Sequence, residues 1–195
     1  MSASGFHKWL FCIAPMIAVF TLPAKAAIIP LDLRGNAGEG LLGGNIIPTP
    51  VTDGGSGGEF GVGILFNDVT DLLTVNVQWG SANGHSNLTG FATAGHLHGP
   101  TTDGGVAALS ESASIRYTLS ALAGWNSSPS SGGFSNALSI LPSEVPALYN
   151  GQFYLLIHTA AYPAGEIRGN LVPVPEPGTV LAIALLPLVR RIRRG

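Results

Sequence analysis

The central part of the chain alternates apolar and polar residues with the two-residue period of a β-strand. The alternation runs over residues 62–66 and again over residues 73–79 of the stretch EFGVGILFNDVTDLLTVNVQWG. Between the two runs, Asn67 and Asp68 are residues that favour tight turns. This pattern predicts a β-hairpin.

Five other segments have strand-like composition and are bounded by glycine, proline, asparagine or serine. They are Ile28–Leu33, Thr93–His98, Ala113–Leu119, Gln152–His158 and Glu166–Val172. The segment PSEVPALYNG predicts a helical turn, with Ser143 as a candidate N-cap and Gly151 just past the end. Many short strands separated by turn signals are typical of an all-β sandwich or barrel.

Two glycine-rich stretches contain short motifs that occur in enzymes. Residues 38–43 fit the dinucleotide-binding pattern G-x-G-x-x-G, and residues 54–58 fit the nucleophile pattern G-x-S-x-G. Neither stretch lies at the strand-to-helix junction that these motifs require, so we interpret both as loops. The sequence also lacks His-Glu-x-x-His and a convincing Ser-His-Asp set. We therefore predict a protein that is not an enzyme.

The N-terminal residues have the organisation of a secretory signal. A weakly basic start is followed by an apolar stretch from Trp9 to Leu22 and by Ala24-Lys25-Ala26, the small-x-small pattern of a signal peptidase site. We predict that residues 1–26 are removed after Ala26 during export across the inner membrane, with a retained anchor as the alternative. The single cysteine, Cys12, lies in this segment, so residues 27–195 contain no thiol.

A second apolar stretch lies near the C-terminus. Gly178–Val189 comprises twelve residues, which as a helix would span about 18 Å, less than the roughly 30 Å of a bilayer core. Prolines at 173, 175 and 177 disfavour a longer continuous helix, because proline lacks the amide donor and clashes with the preceding turn. The stretch is followed by four arginines: Arg190, Arg191, Arg193 and Arg194. It could hold the chain in a membrane temporarily.

The C-terminal segment 173–195 resembles the PEP-CTERM sorting signal of Gram-negative bacteria. The resemblance rests on Pro175, Glu176 and Pro177, followed by the apolar stretch and the arginine cluster. It implies recognition by a membrane-embedded, transpeptidase-like exosortase and an association with exopolysaccharide. An ordinary tail anchor is the alternative. We expect a transiently anchored protein that ends at the cell surface or outside the cell.

The charge distribution limits the partners of the central region. Residues 27–172 contain three arginines and ten carboxylates, which gives a net charge of −7 if the histidines are neutral. A protein that binds nucleic acid usually carries a basic surface. We therefore do not expect nucleic acid as a partner.

Histidines provide the candidate chemistry of the central region. His96 and His98 flank Leu97, so on a strand both imidazoles lie on the same face, and His158 ends another predicted strand. Three imidazoles could bind a single zinc or copper ion, with Asp103 or Glu166 as a possible added carboxylate. The alternative is that each histidine bonds a neighbouring carbonyl or carboxylate and fixes a loop.

The last strand predicts a structural ion pair. Glu166 and Arg168 are separated only by Ile167, so they share one face of that strand. We expect a buried or half-buried ion pair between them, which ties the terminal strand to its neighbour, in preference to a catalytic role.

The central region, residues 27–172, also resembles the CHRD domain, first described in chordin. The matching pieces are the His-x-His-Gly segment from His96 to Gly99, the Gly-x-x-Tyr strand that leads to His158 and Thr159, and the closing Pro-x-Gly-Glu-Ile-Arg-Gly. In the closing motif the structural residues are Gly165, Glu166, Arg168 and Gly169. The resemblance implies a Greek-key, immunoglobulin-like β-sandwich, to which the sequence adds an N-terminal signal helix and a short C-terminal hydrophobic helix.

The two resemblances together suggest an exported protein of the cell envelope or extracellular matrix that binds or supports other molecules without catalysis. The alternative is a metalloprotein, because a His-x-His strand in a β-sandwich is similar to that of copper-zinc superoxide dismutase. That family uses six histidines and an aspartate for two metals, whereas residues 27–195 contain four histidines. A mononuclear site that uses His96, His98 and His158 remains the metal hypothesis.

Overall fold

The computed structural model describes residues 28–175. The predicted signal segment with Ala24 and Ala26, and the sorting segment beyond Pro175, lie outside the described residues. Pro175 itself is exposed at the end of the described chain. Within residues 28–175, no helix combines the length and apolar character needed to cross a bilayer.

Residues 28–175 form twelve strands and one short α-helix. The strands are β1 (Ile28–Gly35), β2 (Gly38–Glu39), β3 (Leu41–Leu42), β4 (Ser56–Glu59), β5 (Ile64–Asn67), β6 (Leu72–Trp79), β7 (Ala92–His98), β8 (Ile115–Thr118), β9 (Trp125–Asn126), β10 (Gly133–Ser139), β11 (Tyr154–Thr159) and β12 (Ile167–Pro173). The helix α1 covers Val145–Tyr149, and 3-10 turns cover Gly43–Asn45, Ser81–Asn83, Ala107–Ser110, Leu119–Ala121 and Pro142–Glu144.

The strands form two layers that share hydrogen-bonded corners, and every strand pair is antiparallel. In one layer β6 pairs with β10 along one edge and with β5 and β4 along the other. In the second layer the order is β8-β7-β11-β12. Strand β1 joins the layers because residues 28–31 pair with β5 and residues 31–34 pair with β12. Strand β3 makes a second connection, between β4 and β12.

The apolar side chains between the layers form one large core. Trp79, Phe134, Leu97, Phe153 and Leu155 are all almost fully buried in it. The indole of Trp79 packs against that of Trp125, with ring centroids 5.3 Å apart, and its N–H donates to the Ser128 carbonyl at 2.9 Å. A large aromatic ring is thus buried without an unmatched polar atom.

The observed fold confirms the predicted all-β sandwich. The predicted hairpin corresponds to β5 and β6, and the five other predicted segments correspond to β1, β7, β8, β11 and β12. The predicted helical turn is also present, but Ser143 is not its cap. The N-cap position of α1 is Glu144, which makes no side-chain capping bond, and the chain turns away at Gly151 with φ 70°.

The sequence interpretation missed several strands, including β4 and β10. Strand β4 lies in the glycine-rich stretch that we interpreted as a loop. A Cβ atom added at Gly57 would lie 2.5 Å from the Gln78 carbonyl oxygen. Glycine is used here because the strand backbones approach too closely for a side chain.

Candidate metal centre

Strands β7 and β11 bring the predicted histidines to one face of the second layer. They pair with Tyr154 opposite His98 and Leu156 opposite His96. Between the two histidines, Leu97 points the other way and is fully buried in the core. The alternation of the strand therefore separates an apolar inner face from an outer face that carries the imidazoles.

The imidazoles of His96, His98 and His158 form a compact cluster. One nitrogen from each ring can be chosen so that all three lie within 4.8 Å of one another. The Nδ1 of His96 lies 3.1 Å from the Nε2 of His158. Ring centroids are 4.9 Å apart for His96 and His158 and 5.5 Å apart for His96 and His98.

Backbone carbonyls fix the orientation of two of the three rings. The Nδ1 of His98 lies 2.8 Å from the Ala113 carbonyl oxygen, and the Nδ1 of His158 lies 3.0 Å from the Pro163 carbonyl oxygen. A carbonyl only accepts, so each Nδ1 must carry the proton and donate it. In the neutral rings, each Nε2 therefore presents a lone pair.

These two Nε2 atoms have different surroundings. The Nε2 of His158 accepts a hydrogen bond from the Nδ1–H of His96, with the two nitrogens 3.1 Å apart. That of His98 is buried and has no hydrogen-bond partner among the described residues. A buried polar atom without a partner is costly, which makes this nitrogen the outstanding unsatisfied atom of the site.

Burial favours the neutral form of the three histidines. It is the main cause that lowers the pKa of His96, His98 and His158 below the ordinary value of 6.5. Charge on His158 would lower the pKa of both His96 and His98 further, because like charges repel at these distances. For His98 and His158, the hydrogen bond to a carbonyl partly offsets the effect of burial.

Tyr154 and Arg168 support His98 from the side. The ring of Tyr154 stacks on that of His98, with centroids 4.8 Å apart and planes 9° from parallel, and the Arg168 guanidinium lies 3.8 Å from the Tyr154 ring centroid. The Tyr154 hydroxyl donates to the Ala113 carbonyl, which also accepts from His98, at 3.2 Å. Two side chains thus share one backbone acceptor and hold each other in place.

The prediction of an ion pair between Glu166 and Arg168 is wrong. Both side chains are buried, but they point to different partners. The Arg168 guanidinium donates to the Asn170 side chain and to the carbonyls of Ala108 and Glu111. Its positive charge is balanced by carbonyl dipoles and an aromatic face, although burial lowers its pKa.

The Glu166 carboxylate forms a separate network that joins three loops. Oε1 accepts from the backbone N–H groups of Gly55 and Thr89, at 2.8 and 2.9 Å, and Oε2 accepts from the hydroxyls of Thr89 and Thr159, both at 2.6 Å. Four donors satisfy this buried carboxylate without a cation. The network anchors both ends of the 159–166 loop, which also carries the Pro163 carbonyl.

Gly165 and Gly169 complete the closing motif for steric reasons. Gly165 has φ 124°, and a Cβ atom there would lie 2.5 Å from Leu156. A Cβ atom at Gly169 would lie 2.7 Å from the Gly40 carbonyl oxygen. Both positions require glycine because neighbouring atoms occupy the space of a side chain.

Among the described residues, the cluster contains three histidines and no carboxylate. Glu166 is occupied by its own network, and neither Asp103 nor His85 belongs to the cluster. Sequence reasoning missed the supporting groups: the Tyr154 ring and the carbonyls of Ala113 and Pro163. The Tyr154 position could have been found from the strand period, but backbone acceptors leave no signal in the sequence.

The fold and this site define a β-sandwich module with a preorganised cluster of imidazoles. The family model of the CHRD domain matches residues 40–171, and the chain belongs to this family. Membership indicates a non-catalytic binding module of extracellular type. A search of curated proteins and a search of solved structures each returned no match.

The lowered histidine pKa values predict a loss of stability in mild acid. The unfolded chain takes up protons as the pH falls below about 6.5, before the folded chain does, so the free energy of unfolding decreases with falling pH. Urea unfolding of chelator-treated protein at pH 7.5 and 5.5 measures this, and His158→Gln should reduce the difference. Equal or greater stability at pH 5.5 would contradict the burial argument.

Proposed function

We propose that this protein is an exported binding module that holds one zinc or copper ion on His96, His98 and His158. The observation that carries the proposal is the buried, unpartnered Nε2 of His98 in a cluster whose three rings can each place one nitrogen within 4.8 Å of the others. A metal ion would satisfy this nitrogen and would replace the hydrogen bond between His96 and the Nε2 of His158.

The separation of the nitrogens fits a small divalent ion. Bonds of about 2.0 to 2.1 Å at a tetrahedral ion place two ligand nitrogens roughly 3.3 Å apart. The His96 Nδ1 and the His158 Nε2 are 3.1 Å apart. The His98 nitrogen is within 4.8 Å of the others. A modest rotation of His96, the least buried of the three, would bring the set together.

The surroundings of the ligands support the same proposal. Metal-bound histidines usually donate their other N–H to a carbonyl or carboxylate, which fixes the ring and its tautomer. His98 and His158 already make such bonds, to Ala113 and Pro163. Three imidazoles leave a coordination position open, and an ion there would supply Lewis acidity toward an added ligand. Neutral imidazoles suit both zinc and copper, so the ligand set alone does not select between them.

The metal proposal predicts near-stoichiometric binding. The protein, purified without a histidine tag and incubated with zinc or copper, should retain about one ion per chain after gel filtration, measured by elemental analysis. His98→Gln and His158→Gln should each reduce the affinity at least tenfold, because one of three ligands is lost.

His85→Gln is the matched control, because it removes a histidine that lies outside the cluster. It should leave metal content unchanged. A metal content near zero in the wild-type protein with both ions, or an equal loss in the His85→Gln variant, would rule out this site.

We also propose that the protein leaves the cytoplasm and that its N- and C-terminal segments direct its export and sorting. The signal-like residues 1–26 would be removed by signal peptidase after Ala26, and the tripeptide Pro175–Pro177 would be recognised by an exosortase-type transpeptidase. The mature module would then act at the cell surface or outside the cell, with exopolysaccharide or another envelope protein as its partner. The acidic, thiol-free composition of residues 27–172 suits such a location.

The sorting proposal predicts a shortened mature protein. Intact-mass measurement of the exported form should place the new C-terminus between Pro175 and Gly178. Cell fractionation should find this form outside the cytoplasm. An exported protein that still contains Arg193 and Arg194 would contradict cleavage at the tripeptide.

A further inference from the structure

A second surface, remote from the histidines, carries exposed apolar side chains around the β5–β6 turn. This surface, the turn patch, consists of five residues that are 40% to 66% exposed: Ile28, Val69, Leu72, Leu141 and Tyr149. Exposed apolar side chains that lie together mark an interaction site more often than scattered ones do.

The strand register places Ile28 and Leu72 on the same face of the sheet, on either side of Asn67. Ile28 pairs with Asn67 across β1 and β5, and Asn67 pairs with Leu72 across β5 and β6. Leu141 follows Ile140, whose N–H donates to the Asp71 carbonyl at 2.8 Å. Tyr149 lies at the same end of the sandwich, where its ring packs edge-on against the buried Phe66, with centroids 5.8 Å apart. At about 4.8 Å per strand, the distance from β1 to β10 is roughly 14 Å.

The described chain ends beside this patch. The N–H of Val174 donates to the Pro30 carbonyl at 3.0 Å, so the chain leaves the sandwich two residues along β1 from Ile28. The sequence continues for twenty residues beyond Pro175, and Thr179–Val189 is almost wholly apolar. An apolar segment of the same chain is thereby tethered next to an exposed apolar surface.

The C-terminal segment is long enough to cover the turn patch, and its charge is opposite to that of the patch. Gly178–Val189 would be about 18 Å long as a helix, enough to cover the roughly 14 Å of the patch. Asp68 and Asp71 lie in the turn at the centre of the patch, and four arginines follow the apolar segment. Asp68 and Asp71 also contribute to the raised pKa of Tyr149, after burial as the main cause, so this end of the module is acidic.

We infer that the turn patch is the docking surface for the chain's own C-terminal segment, residues 179–194, while that segment is in water. The apolar residues of the segment cover Ile28, Leu72 and Leu141, and the arginines lie against the carboxylates of the turn. The inference concerns the chain before the segment enters a membrane or is removed, and it does not depend on the metal site.

Cross-linking with a carbodiimide tests this inference directly, because the reagent joins an amine to a carboxylate with loss of water. The chain beyond Lys25 contains no lysine, so changing Arg190, Arg191, Arg193 and Arg194 to Lys adds amines only at the tail and keeps its charge. Mass spectrometry of the full chain, made in a host without the sorting enzyme, should find these lysines joined to Asp68 and Asp71. Coupling to the exposed Asp53 and Asp103 should be about tenfold weaker.

Two further variants separate docking from the effect of the tether. In the lysine-bearing chain, Val69→Ser with Leu72→Ser should reduce coupling to Asp68 and Asp71 about tenfold, because apolar burial is lost while the tether is unchanged. The matched control is Val62→Ser with Val106→Ser, which alters two exposed valines outside the patch and should leave coupling unchanged.

Hydrogen exchange gives an independent measurement for chains that keep the native fold. Replacing the four arginines with serine should speed amide exchange in residues 67–72 of the full chain. Cross-links that survive in the Val69 and Leu72 variant would overturn the inference, since the tether alone would then explain them. It would also be overturned if coupling in water is unselective and residues 67–72 become protected only when phosphatidylcholine vesicles are added, because the occupant is then lipid.

Discussion

The burial of both faces of β11 is the constraint on which the rest of the structure depends. Every residue of Tyr154–Thr159 is buried, although only one face of the strand meets the main core. Loops must cover the other face, and each polar group on it must find a partner. Glu166 provides the anchor for one such loop by accepting four hydrogen bonds from groups at Gly55, Thr89 and Thr159.

The histidine cluster follows from this covered face. Loop carbonyls accept the Nδ1 protons of His98 and His158, which leaves both Nε2 atoms unprotonated within the cluster. The buried Arg168 guanidinium lies against the Tyr154 ring, and this ring stacks on the His98 imidazole. The site is therefore held in position by the same contacts that allow the strand to be buried.

Much of this arrangement could be predicted from the alternation of apolar and polar residues along each strand. The rest depends on which strands pair and in which register. The two-residue period was enough to place His96 and His98 on one face and to identify β6 and β11. Strand β10 was missed because its segment, GFSNALS, has too few apolar residues to show alternation. The approach of His158 depends on the β7–β11 register, and the separation of Glu166 from Arg168 depends on which loops cover each one.

Nitrogen-15 NMR of the imidazoles, with chelator-treated protein at pH 7.5, tests the central claim most directly. Single His→Gln variants would assign the signals of each ring. The account predicts that His98 and His158 are neutral, with the proton on Nδ1 and a bare Nε2. A proton on the Nε2 of either ring, or a positively charged imidazole at this pH, would contradict it.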